Sequence, residues 1–180
     1  MKIFSREEIE TNLPTLDDLF VLIEEGFVSY SNGECIIPDV GYLPIPTGEI
    51  HIKYGLQKES EFAVIKVASG CYSNSNLGLP SSSGLNLIIN TRTGVPEALL
   101  QDEGLLTDIR TAIAGALAAT RYAKNTKKFG VIGYKTSDTV RGMQKNFTEK
   151  IQGAYILLSD QSPQPHKTFY WREFFNIKVW

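Results

Sequence analysis

Three apolar runs follow one another with no helical pattern between them, and this order limits the possible folds more than any other feature of the chain. "EIHIKYG" (49–55) alternates apolar and polar residues, "EFAVIKVASG" (61–70) is a second strand-like run, and a turn over Lys58–Ser60 separates the two. "LNLIINTRTGVPEALL" (85–100) reads as two further strands joined at Thr91–Gly94, with glycine in the turn. Strands joined by short turns pair antiparallel, because a parallel pair needs a long crossover, usually a helix. The chain up to Asn125 is therefore expected to be α+β.

Helices are expected on either side of this sheet. Ser5 with Glu8 three residues later is a capping-box pattern. Pro14 is expected to open a second helix with Leu16, Leu19, Phe20, Ile23 and Phe27 on one face, stopped by Asn32-Gly33. Glu34 to Gly48 holds three prolines and reads as irregular or edge-strand chain. Asp102 is placed to cap a helix that runs to about Tyr122 and carries Leu105, Ile109, Ala112, Ile113, Ala116, Leu117 and Thr120 on one face. "KKFGVIG" (127–133) then reads as a short buried strand ending in glycine. Farther on, "TVRGMQKNFTEKIQG" fits an amphipathic helix, "AYILLS" a strand, and "TFYWREFFNIKVW" an aromatic-rich tail with no assigned role.

Composition narrows the function classes. The 180 residues suffice for one domain with a core, or for one domain plus a fragment. A formal charge of −2 argues against a general nucleic-acid binder, which wants a basic face. No apolar run reaches the roughly 18 residues of a membrane span. The N-terminal "MKIFSREEIETNL" turns acidic too early for a secretory signal. Cys35 and Cys71 lack CxxC spacing and read as free thiols, so a cytoplasmic protein is expected.

Two cations stand out. Lys66 sits between Ile65 and Val67 in an apolar strand, where an unpaired charge is costly to bury. It is either a charged residue at the rim of the sheet or a cation lining a pocket, where it binds a carboxylate or tunes an amine. Arg110 lies on an otherwise small, apolar helix. It either faces solvent beside Asp108 or Glu103 or clamps a carboxylate in bidentate fashion. "GLPSSSG" (78–84) offers hydroxyls and backbone N–H groups to an anion, or is simply a turn. His51 and His166 share no metal-ligand spacing with each other or with the cysteines, and no Ser-His-Asp signature is present, so no metal or nucleophile is assigned. "FGVIGYKTSDTVRG" opens like a dinucleotide fold, but only Gly133 matches the G-x-G-x-x-G fingerprint; Lys135 and Asp138 stand at the second and third glycine positions.

Taken together, "GEIHIKYG", "FAVIKVASGCYSN", "GLPSSSGLNLI", "TGVPEALLQDEGLLTDIRTAIAGALAA" and "FGVIG" resemble, in order and spacing, the ornithine cyclodeaminase/mu-crystallin family over roughly residues 1–133. Members of that family use NAD(P) to deaminate ornithine to proline, dehydrogenate alanine or reduce cyclic ketimines, which spans lyases and oxidoreductases. The resemblance implies a substrate-binding and dimerisation domain over residues 1–125, and over 126–180 the first strand of an incomplete Rossmann domain followed by an unrelated tail. It matches Lys66 to the family's catalytic and substrate-binding lysine, and Arg110 to its substrate-carboxylate arginine. Ser81 and Gly133 fall near its cofactor positions. An amino-acid or imine substrate and a homodimer are implied as partners, with no nucleic acid and no membrane.

Two departures qualify these expectations. No second substrate arginine appears around "IIPDVGYL", and after Gly133 the glycine-rich turn is replaced, as a frameshift or truncation would do. The expected product is a chain that does not bind NAD(P) and does not turn over the family substrates, although Lys66 and Arg110 still line one anion-holding cavity. The alternatives are a non-catalytic dimerising or small-carboxylate-binding fragment, and a standalone binding module completed by its tail.

Overall fold

The computed structural model describes residues 1–122, 128–132 and 153–157. The chain divides into two compact units, Met1–Leu106 and Thr107–Trp180.

The first unit is built on a seven-stranded sheet. Its strands are β1 (Lys2–Phe4), β2 (Cys35–Ile36), β3 (Gly41–Ile45), β4 (Gly48–Gln57), β5 (Phe62–Cys71), β6 (Ser82–Asn90) and β7 (Pro96–Leu100). The order is β1-β7-β6-β5-β4-β2, with β3 also paired to β4. From β3 to β7 each strand pairs antiparallel with the next, through short turns except for residues 72–81 between β5 and β6. Asn90 organises the turn between β6 and β7: its Oδ1 accepts from the N–H groups of Arg92 (3.0 Å) and Thr93 (3.1 Å), and Gly94 follows with φ +71°. The expected hairpin is therefore present. Unforeseen is β1, which pairs in parallel with β7 through Lys2↔Ala98.

Two helices join this unit. α1 (Arg6–Thr11) begins with the expected capping box: Glu8 N–H donates to Ser5 Oγ at 3.3 Å, and Ser5 N–H donates to Glu8 Oε2 at 2.8 Å. α2 (Leu16–Ser31) starts two residues later than Pro14, because Thr15 is extended (ψ 158°) and its hydroxyl accepts from the Asp18 N–H at 3.2 Å. It ends at Asn32 and Gly33 (φ +72°), as expected. Phe27, expected on the covered face, is 54 % exposed.

α3 (Leu105–Tyr122) follows Gly104 and reaches the expected end; past its first turn it groups with the second unit. Ala112, Ile113, Ala116 and Leu117 of α3 are buried, as the 3.6-residue periodicity anticipates. In the second unit, β8 (Lys128–Ile132) and β9 (Gly153–Leu157) pair in parallel. These two strands coincide with the runs "KKFGVIG" and "AYILLS". The helix expected between them and the aromatic tail lie outside the described residues. No helix among the described residues is long and apolar enough to cross a membrane.

Candidate functional site

The sheet has two unlike faces, and its register fixes which residues share each. One row across the strands is Lys53, Lys66, Asn86 and Leu100; the next is Tyr42, His51, Ala68 and Gly84; a third brings Pro44, Glu49, Gly70 and Ser82 together. Directly paired residues carry their side chains on one face, and rows two residues apart are about 7 Å apart. This face is polar. The opposite face carries Leu43, Ile52 and Tyr54, all at least 40 % exposed, beside the half-buried Ile65, Val67 and Leu87.

Lys66 is half-buried at the centre of the polar face. Its register partner Asn86 is only 8 % exposed and donates through Nδ2 to Asp102 Oδ1 at 3.0 Å. Asp102 is 1 % exposed, and its Oδ2 accepts from the Leu106 N–H at 3.0 Å. One carboxylate thus caps α3 and anchors the strand beside Lys66. Next to Lys66 on β5 and β6 the sheet carries Ala68 and Gly84, a depression between larger side chains in the rows beside them, with His51 of β4 at the end of the same row. A Cβ at Gly84 would come within 2.8 Å of the Val67 carbonyl oxygen, which keeps that position bare.

On the far side of this depression, Glu49 organises a second group. Tyr72 Oη donates to Glu49 Oε1 at 2.9 Å, and His51 Nε2 lies 3.4 Å from the same oxygen. The His51 ring centroid is 5.3 Å from that of Tyr42. The Tyr72 hydroxyl, and after it His51, hold the Glu49 carboxyl below the usual carboxylate range. The bond to that carboxylate pushes the Tyr72 phenol up in turn. Glu49, His51 and Lys53 alternate along one strand, so the sequence holds the signal that would have grouped them; Tyr72 joins only through the fold.

The expected site residues fall in different places. Ser81 is exposed just before β6, and its carbonyl accepts from the Cys71 N–H at 2.8 Å. Arg110 is exposed on α3, while Glu103, one of the acids weighed as its neighbour, pairs with Arg6 at 3.9 Å. Lys66 belongs to the first unit and Arg110 to the second, so the cavity expected to hold both lies beyond what either unit contains by itself. Gly133, Lys135 and Asp138 lie outside the described residues.

Comparison with known proteins gives this arrangement a context. A model of the ornithine cyclodeaminase/mu-crystallin family matches residues 1–169, continuing past Gly133. The alanine dehydrogenase of Archaeoglobus fulgidus is 31 % identical over 74 % of this chain and 41 % of its own length. The chain spans about two fifths of the length of the curated relatives it matches. Among solved structures, the Δ1-pyrroline-2-carboxylate reductase of Thermococcus litoralis, in complex with NADH and L-proline, superposes with a TM-score of 0.75 at 26 % identity, over 89 % of this chain and 50 % of that one. An archaeal alanine dehydrogenase dimer with bound NAD gives a TM-score of 0.76 at 22 % identity, over 88 % of this chain and 48 % of that one.

Proposed function

Because the chain belongs to the ornithine cyclodeaminase/mu-crystallin family, we propose that residues 1–125 are the substrate-binding and dimerisation part of an NAD(P)-dependent enzyme of small amino acids or imines. Residues 126–180 would be its Rossmann remnant and tail. In this reading the chain by itself holds the substrate's carboxylate without turning it over. The observation that carries the reading is Lys66, set beside the Ala68/Gly84 depression and next to an Asn86 that Asp102 locks in place. A lysine ammonium offers three rotatable donors to a carboxylate as a compact point charge. Lys66 is the substrate-binding and catalytic lysine of the reading, and Arg110 is a second carboxylate-binding residue. Ser81 and Gly133 are its cofactor-side positions.

NAD(P) supplies hydride transfer when bound, and it needs a turn at which the pyrophosphate can approach the backbone. Lys135 and Asp138 occupy two of the glycine positions of that turn, so one side chain obstructs the approach and the other sets a carboxylate near phosphate. The residues present do not fit the cofactor. The purified chain is expected to bind L-alanine or L-ornithine in the millimolar range and to show no NAD(H)-dependent turnover. Lys66→Ala should abolish the binding with an unchanged circular dichroism spectrum. Turnover that Lys66→Ala abolishes would overturn the inactive reading, and binding that survives the substitution would overturn the role of Lys66.

The exposed apolar face of the sheet favours a homodimer as well. Leu43, Ile52 and Tyr54 leave it uncovered in the single chain. A relative of the same fold is named as a dimer. Sedimentation should give the mass of two chains, and Ile52→Lys should give the mass of one; a single-chain mass for the unaltered protein would refute the dimer. This face also supports the alternative of a purely dimerising, non-catalytic fragment, for which the unaltered chain should dimerise without binding carboxylates. A cytoplasmic location belongs to the main reading and rests on the free, half-buried thiols of Cys35 and Cys71.

A further inference from the structure

Residues 72–81 leave the sheet between β5 and β6 as a strap that closes on itself. The Leu79 N–H donates to the Asn74 carbonyl at 3.0 Å, Asn74 Nδ2 donates to the Pro80 carbonyl at 2.9 Å, and Gly78 takes φ +69° in between. Hydrophobic burial does not hold the strap to the sheet. Within it only Asn74 is half-buried, and Leu77 and Leu79 are 72 % and 54 % exposed. Its backbone is tied down at the root, where the Cys71 N–H donates to the Ser81 carbonyl at 2.8 Å and the Tyr72 N–H to the Thr47 carbonyl at 3.2 Å. Among the described residues, one side-chain bond reaches from the strap to a strand: Tyr72 Oη donates to Glu49 Oε1 at 2.9 Å. Glu49 stands in the row beside the Ala68/Gly84 depression, so this tie sits at its edge. The groups around Glu49 are few. Its cross-strand partners Pro44 on β3 and Gly70 on β5 carry no charge, His51 Nε2 lies 3.4 Å from the oxygen that Tyr72 uses, Tyr42 of β3 is beside His51, and Lys53 follows His51 on the same face of β4.

We propose that Glu49 is the positioning residue of this strap: its carboxylate, acting through the Tyr72 hydroxyl, pins residues 72–81 at the edge of the depression, and protonation of that carboxylate releases them. A carboxylate accepts from a phenol more strongly than the neutral acid does. The latch is therefore closed above the ordinary carboxylate range. It opens as the pH falls through the lowered value that Tyr72, and after it His51, give Glu49. A protonated His51 also favours the carboxylate, so it delays the opening rather than causing it. No bound ligand is needed for this behaviour, which stands apart from the carboxylate-binding reading above.

Amide hydrogen exchange of the full chain, followed by NMR, tests it. The Cys71 and Tyr72 N–H groups report on the root of the strap, and the Thr91 N–H, bonded to the Glu61 carbonyl at 2.9 Å beyond the opposite end of β5, is the reference. At neutral pH, Glu49→Gln and Tyr72→Phe should each speed exchange at the root about threefold relative to Thr91, the modest effect of one solvent-accessible bond. The double variant should do no more than either single one, because both remove the same contact. In the unaltered chain, acid should raise the ratio of root to reference exchange, and Glu49→Gln should abolish that rise. The carboxyl titration of Glu49 should move up toward the ordinary range in Tyr72→Phe, a response that a merely structural tyrosine would not give. Root exchange unchanged in both variants, or a Glu49 titration that ignores Tyr72→Phe, overturns the inference. Exchange that quickens equally at Thr91 means a general loosening of the sheet and overturns it too.

Discussion

Gly48→Ala is expected to destabilise the first unit by about 3 kcal/mol, the upper end of the usual cost of overpacking. A Cβ at this position would run into the carbonyl oxygen of Gly70 and stand 2.8 Å from its carbonyl carbon and 2.9 Å from Cys71 Cα. All of these are backbone atoms of the paired strand β5, so no rotamer change can relieve the clash. The strands must separate where β4 begins, next to the Glu49 group. A fall in the urea midpoint with an unchanged slope would show the loss. Gly26→Ala in α2 is the matching control, because nothing lies within 4 Å of its added Cβ. It should stabilise by about 0.5–1 kcal/mol through helix propensity. Equal stability of the Gly48→Ala and unaltered chains would show that β4 and β5 lie farther apart there than the register requires.

Asp102→Ala should cost nearly as much, about 2–4 kcal/mol. The loss of the α3 cap accounts for about 1 kcal/mol of this. The rest comes from leaving the buried Asn86 amide without its acceptor, at about 1–3 kcal/mol. Asp102→Asn keeps an oxygen for one of the two donors and should recover part of the loss. Thermal unfolding monitored by circular dichroism measures the series. An Asp102→Ala variant as stable as the unaltered chain would mean that water reaches Asn86, against its 8 % exposure.

What could be read from residues alone was whatever depends on near neighbours. The Thr91–Gly94 turn, the Ser5/Glu8 box and the Asp102 cap each involve groups a few residues apart, and each is found as expected. Lys66 was legible because a charge amid Ile65 and Val67 breaks an apolar pattern. Its support was not legible. Asn86 meets Asp102 only through the register of β6 against β7, and Lys53 faces Lys66 only through that of β4 against β5. His51 has neither metal-ligand spacing nor a Ser-His-Asp signature in the sequence, and its link to Glu49 and Tyr72 requires the fold. β1 escaped because three residues are too few to show a period of two. At the C-terminal side, the family likeness read from motifs stops at the altered glycine turn, whereas the family match itself continues to residue 169. Motifs fail there because a Rossmann strand is recognised by the turn that follows it.

The parallel pairing of β1 with β7 also bears on how the sheet is assembled during synthesis. β1 precedes every other strand of this sheet along the chain, yet its partner among the described residues, β7, ends at Leu100. The antiparallel run from β3 to β7 can close strand by strand as it emerges, each pairing spanning a connection far shorter than the one between β1 and β7. Lys2–Phe4 must wait through all of it, its N–H and C=O groups open to any other strand edge in reach. Residues made before the rest of the sheet are thus among the last to dock, and the free edge of β7 stays exposed until they arrive.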